Sequence, residues 1–307
     1  MTNSETVSTL AQGDSYVPSP TCPPVHPSPR KPSITLPANS CDSHCHIFGP
    51  FDKYPLSSTR TFTPHSAPVE ELNELHAFLG IDRAVIVQSS CYGTNNRIMV
   101  DALRASGGRL RGEALIDART TPAELTEMHD AGVRGFRLNY LPHLRAAPTS
   151  EEIETLRALV RPFGWHTQVH VEGSGVLNEI EVIKSIDGNI VIDHMGRIDL
   201  QAGINTPEVD SILELMDTGR VWIKVSGIDR LSVQGAPYDD AVELAAKLVR
   251  HAPERVLWGT DYPHVNMAVP APDDGLLTDA LSRIAPDEFL LRRLLVENPS
   301  EFFEFDA

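Results

Sequence analysis

The chain has 307 residues, 41% of them hydrophobic, which suffices for a large buried core and excludes a collagenous or broadly disordered protein. Its 26 Lys and Arg against 42 Asp and Glu leave a net charge of −16, which argues against nonspecific binding to nucleic acid or to an anionic membrane surface. No apolar run approaches the roughly 18 residues of a membrane span and the first twenty residues lack a signal-peptide core, so a cytoplasmic protein is expected.

Residues 1–39 are expected to form an extended proline-rich arm, ahead of a single barrel domain over 40–307. Pro18, Pro20, Pro23, Pro24, Pro27, Pro29, Pro32 and Pro37 lie there among Ser and Thr, a composition that favours polyproline-like chain over helix. Such an arm either wraps the barrel or a neighbouring subunit, with a homodimer as the expected assembly, or is a mobile tail. Cys22, Cys41, Cys45 and Cys91 have no C-x-x-C spacing and are read as thiols, with packing roles for Cys45 and Cys91.

From Cys41 onward short apolar runs alternate with helical patterns. Strands are predicted near 42–48, 83–89, 112–116, 133–138, 166–172, 189–194, 221–226 and 255–260. Helices are predicted near 68–79, 95–106, 121–131, 151–163, 175–186, 207–219 and 237–251, with two more near 273–285 and 288–296. Eight βα units predict an α/β fold of the (β/α)8 TIM-barrel type, in which active sites lie at the C-terminal ends of the strands.

The chemistry-bearing residues fall at those ends. His44 and His46, one residue apart, end the first strand; His170 approaches the end of the fifth, His194 ends the sixth, and Asp261 follows the eighth. Imidazole nitrogen and carboxylate oxygen ligate zinc at about 2.0–2.2 Å, and a catalytic site keeps one position for water. Three of these histidines together with the aspartate would supply the ligands of one Zn2+ per subunit, with Mn2+ accepted by the same donors.

The segments Asp42-Ser43-His44-Cys45-His46, Gln88-Ser89-Ser90-Cys91-Tyr92-Gly93-Thr94, Gly135-Phe136-Arg137-Leu138-Asn139, Ile192-Asp193-His194-Met195-Gly196-Arg197, Asp229-Arg230-Leu231 and Trp258-Gly259-Thr260-Asp261-Tyr262-Pro263-His264 resemble the amidohydrolase superfamily, and within it the lactonase branch. The resemblance runs from about Cys41 to the C-terminus and implies hydrolysis of a small dianionic lactone from aromatic-compound degradation. It implies His44, His46, His170 and Asp261 as the metal ligands, Asp261 also as acceptor of the water proton, and His194 as the group that orients the water or polarises the carbonyl. Arg137, Arg197 and Arg230 are expected to bind the substrate's carboxylate or sulfonate oxygens in two-pronged fashion. Ser90, Thr94, His143, His264 and Asn266 are further expected substrate contacts.

The chain departs from the metal-free members of the branch, which act on a pyrone dicarboxylate. They match a tyrosine to His170, a tyrosine near Phe62 and an arginine near His143. The histidine at 170 restores a metal ligand and favours the zinc-associated members, whose lactone carries one carboxylate and one sulfonate. Nonoxidative decarboxylases of the same superfamily use a similar His-x-His, His, His, Asp site and remain an alternative.

Overall fold

The computed structural model describes residues 19–141, 144, 147–267 and 269–305. Eight parallel strands follow one another in chain order around one sheet: β1 (Cys41–Cys45), β2 (Arg83–Val87), β3 (Leu110–Ala114), β4 (Val133–Asn139), β5 (His166–His170), β6 (Ile190–Ile192), β7 (Val221–Lys224) and β8 (Val256–Leu257). Backbone hydrogen bonds close the circle where β8 meets β1: Ser43 N–H donates to the Trp258 carbonyl at 2.7 Å, Asp261 N–H to that of His44 at 2.8 Å, and His46 N–H to that of Tyr262 at 2.7 Å. A Cβ at Gly259 would sit 2.5 Å from the His44 nitrogen, so this seam closes only because residue 259 has no side chain. The fold is the expected (β/α)8 barrel.

Several strands leave the ladder earlier than predicted, and β8 keeps only two residues. The first seven predicted helices form within a few residues of their expected bounds, while 273–285 is divided into Asp274–Asp279 and Leu281–Ile284. A four-residue helix, Ile228–Leu231, follows β7 and was not predicted; one turn is too short to show a helical period.

Because side chains alternate along a strand, residues two apart share a face, and His166, Gln168 and His170 of β5 run up the barrel interior. At the floor, Cys41, Val85, Val191, Trp222 and Leu257 pack on Phe302, Phe303 and Phe305 from the C-terminal segment, which plugs the N-terminal mouth. Above that apolar layer the interior is charged. The fully buried Lys224 Nζ bonds Glu113 Oε2, and His166 Nε2 lies 2.7 Å from Glu113 Oε1. A Cβ at Gly135 would stand 2.2 Å from His166 Nε2, so that glycine makes the room for the ring.

The described part of the N-terminal segment packs against the barrel. The Arg30 N–H and Nε donate to the Asp273 carboxylate at 3.0 and 3.2 Å, and the Ser33 N–H and hydroxyl to Asp279 Oδ1 at 2.6 and 2.8 Å. Residues 1–18 of the expected arm lie outside the described residues. Among the described residues, no helix is long and apolar enough to cross a membrane.

Candidate active site

Asp261 is the point on which the imidazoles converge. Its Oδ1 lies 3.4 Å from His46 Nε2, 3.7 Å from His44 Nε2 and 3.9 Å from His194 Nε2, while its Oδ2 accepts from Arg230 Nε. Each ring is oriented from behind. His46 Nδ1 bonds the Val87 carbonyl at 2.7 Å, His194 Nδ1 faces the Ser226 hydroxyl at 2.9 Å, and His170 Nδ1 faces Asn139 Oδ1 at 3.2 Å. A Cβ at Gly227 would stand 3.0 Å from His194 Nδ1, so the chain leaving β7 makes space for that ring. His194 (φ 48°) and Asp261 (φ 65°) both occupy the left-handed region, a strained backbone costing roughly 1–2 kcal/mol per residue. Two such residues aimed at one point mark a built site.

Burial and charge set the protonation states. Burial pushes the Asp261 carboxyl upward, but Arg230 and then His194 outweigh it and hold it well below the usual carboxylate range. Desolvation keeps His44 and His170 neutral, well below the ordinary histidine value, and lowers His194 to about 3. The site thus presents an ionised carboxylate beside the neutral imidazoles of His44 and His194.

A buried anion that the sequence reading passed over supports this arrangement. Asp193 Oδ1 lies 3.2 Å from His44 Nδ1 and accepts from the Gln168 amide, and its Oδ2 takes Arg137 Nη2 at 2.8 Å and Nε at 3.0 Å. Lys224 Nζ stands 3.9 Å from the same carboxylate. Burial raises the Asp193 carboxyl, and Arg137 with His44 more than reverse this, leaving it well below its usual value. The signal was present in the sequence: Lys224 ends an otherwise apolar strand, and Gln168 lies between His166 and His170 on the inward face of its own. Asp42 does parallel work at the seam, accepting from the N–H groups of His44 and Thr260 at 3.0 Å each and facing His76 Nε2 at 3.0 Å.

The pocket above Asp261 is lined by His46, His170, His194, Ser90 and Asn266, with Arg137, Arg197 and Arg230 as its cations and Phe62 on its wall. Thr94 is not brought here; it lines a separate groove with Asn95 and Arg97, because the chain turns outward through Ser90–Tyr92 before reaching it. His264 also stays out of the pocket. Its Nε2 lies 2.9 Å from Asp274 Oδ1 and its N–H donates to the Asp261 carbonyl, so it braces the loop from behind. The carboxylates of Asp274 and Asp229 outweigh its burial and raise its pKa. His143 lies outside the described residues.

The donor set fits a divalent cation. Tetrahedral zinc with bonds of 2.0–2.2 Å separates its ligand atoms by about 3.3–3.6 Å, close to the 3.4 and 3.7 Å between Asp261 Oδ1 and the two Nε2 atoms of His46 and His44. Both ring nitrogens of His44 are buried without a hydrogen-bond partner, Nε2 facing Asp261 and Nδ1 facing Asp193, which leaves Nε2 open to a metal. His44, His46 and Asp261 form one group whose ligand atoms lie within 4.8 Å of one another, and His44, Asp193 and His194 an overlapping one. His170 belongs to neither. Its ring centroid lies 5.7 Å from that of His194, and its buried Nε2 has no hydrogen-bond partner. The structure therefore draws three of the four expected ligands together and leaves the fourth on the pocket wall.

Fold and site together define a barrel hydrolase, and the family model described as Amidohydrolase matches residues 41–305, so the chain belongs to that family. It is 39% identical to the 2-pyrone-4,6-dicarboxylate hydrolase of Comamonas testosteroni, over 90% of this chain and 93% of that one. It is 35% identical to the 4-sulfomuconolactone hydrolase of Rhizobium radiobacter, over 88% and 92% of the two chains. An apo crystal structure from Agrobacterium tumefaciens superposes with a TM-score of 0.80 at 29% identity, covering 90% of this chain and 99% of that one. The chain is accordingly a lactone hydrolase of the amidohydrolase superfamily.

Proposed function

We propose that this pocket hydrolyses a small dianionic lactone, with 4-sulfomuconolactone, giving maleylacetate and sulfite, ahead of 2-pyrone-4,6-dicarboxylate. The observation that carries the reading is the bidirectional hold on Asp261. Arg230 fixes one oxygen, and the other faces three imidazoles at 3.4–3.9 Å beneath a rim of arginines.

In this reading Asp261, ionised at neutral pH, accepts the proton of the attacking water at Oδ1. His194, neutral and braced by Ser226, orients that water or the lactone carbonyl through Nε2. Arg137 and Arg197 receive the two anionic arms of the substrate, overcoming locally the acidic charge of the whole chain. His44, His46 and Asp261 would hold a divalent cation, which when bound lowers the pKa of its water and polarises the carbonyl.

Support for the sulfonated lactone comes from His170 and Phe62, where the metal-free dicarboxylate hydrolases match tyrosines. The pyrone dicarboxylate is the second reading, favoured by the 39% identity to the Comamonas enzyme. The test follows ring opening of both lactones before and after chelation, with zinc or manganese added back. Faster, chelator-sensitive turnover of 4-sulfomuconolactone is expected. Metal-independent preference for the pyrone establishes the second reading instead. Asp261→Asn should lower turnover about 10²–10⁴-fold; equal rates in variant and wild type, or release of carbon dioxide from an aromatic acid, overturn lactone hydrolysis at this site.

A further inference from the structure

We propose that Thr21 and Cys22, in the segment ahead of the barrel, are positioning residues for the outer wall of the substrate pocket. The proposal rests on the lactonase reading for the substrate that reports it. Two loops supply that wall, one carrying Phe62 and the other Asn266, and they come from opposite ends of the barrel sequence. Adjacent residues of the N-terminal segment bind both.

Thr21 clamps the first loop from two directions. Its N–H donates to the Thr63 carbonyl at 2.8 Å, and its hydroxyl accepts from the Thr63 N–H at 2.8 Å, immediately after Phe62. Cys22 holds the second loop, its Sγ accepting from the Asn266 N–H at 3.3 Å. Asn266 has φ +58°, the left-handed region that Asn adopts more readily than other non-glycine residues, and Cys22 meets the N–H of that turn. Cys22 is 8% exposed, whereas Ser19, Pro20 and Thr21 before it are exposed. The Cys91 thiol bonds the Phe62 carbonyl at 3.3 Å from the inner side, so Phe62 is fixed between barrel and strap. The same segment is anchored independently, away from the pocket, by Ser33 on Asp279.

That second anchor provides the control. In the full chain, Thr21→Val combined with Cys22→Ala should raise KM for the preferred lactone about fivefold, the size of one or two net hydrogen bonds, with kcat within about twofold. Ser33→Ala should leave KM unchanged even where it lowers Tm as much. Cys22→Ser alone, which keeps an acceptor for Asn266, should leave KM at its wild-type value. Unchanged KM in the double variant, or an equal rise in Ser33→Ala, overturns the proposal. Iodoacetamide labelling of Cys22, read by peptide mass, is independent of turnover and separates failure here from failure of the lactonase reading. Labelling should be slow in the wild type and faster in Thr21→Val alone; wild-type labelling as fast as in the urea-unfolded chain overturns the proposal whatever the enzyme hydrolyses.

Discussion

The carboxylate of Asp193 lies 3.2 Å from Nδ1 of His44, and this contact joins the proposed metal centre to the proposed substrate-binding arginines. Asp193 faces Nδ1 of the His44 ring, whose Nε2 faces Asp261, and with its other oxygen it fixes the Arg137 fork. Asparagine keeps the size but loses the charge, and one end of its amide must then face either a cation or an imidazole N–H wrongly. Asp193→Asn should reduce kcat/KM and metal affinity each about 10–100-fold, the range seen when partners behind metal ligands are removed. Steady-state kinetics together with metal content after dialysis checks this; wild-type values for both would show that Asp193 only packs.

Lys224 and Glu113 form an ion pair buried completely in the barrel, with His166 on the far carboxylate oxygen. Removing one member leaves an uncompensated charge. Lys224→Met should therefore cost about 3–5 kcal/mol, whereas replacing both partners with apolar residues should recover much of that loss. Urea unfolding of the single and double variants measures both quantities.

Gly135 gives an overpacking test of the same layer. A methyl at this position meets the His166 ring, with Nε2 at 2.2 Å, between strands that cannot move apart without opening the barrel. Gly135→Ala should destabilise the fold by about 1–3 kcal/mol, and His166→Ala in the same chain should remove the penalty. A thermal-unfolding cycle over the four proteins reports the coupling.

Stability should fall on acidification. His194 has a folded pKa of about 3 against an ordinary 6.5, so between those values the unfolded chain binds a proton that the folded chain refuses. Stability then rises with pH through that window and is lost as pH falls, by about 1.4 kcal/mol per unit for each such histidine. His44 and His170, lowered in the same direction, steepen the slope. His264 has the opposite sign: raised by Asp274, it contributes stability present below 6.5 and lost as pH rises through its folded value. Denaturant midpoints should therefore decline from pH 6.5 toward 5, and a flat profile there would contradict neutral burial of these rings.

Hydrophobic alternation and helical periodicity are local properties, and eight strands, their order and the strand-end placement of His44, His46, His170, His194 and Asp261 could all be read from them. A barrel whose successive units are neighbours needs little more than that count. The sequence also pointed to Arg137, Arg197, Arg230, Ser90 and Asn266, which line the pocket. Distances across the barrel are another matter, since they depend on strand stagger and on where each chain leaves the ladder. Only the tertiary structure put Asp193 against His44, kept His170 out of the ligand group, turned Thr94 to another groove and His264 onto Asp274. It also laid Thr21 and Cys22 beside Thr63 and Asn266. Spacing along a chain sets which face a residue occupies; which atoms meet across a closed barrel is decided by packing among strands remote in sequence.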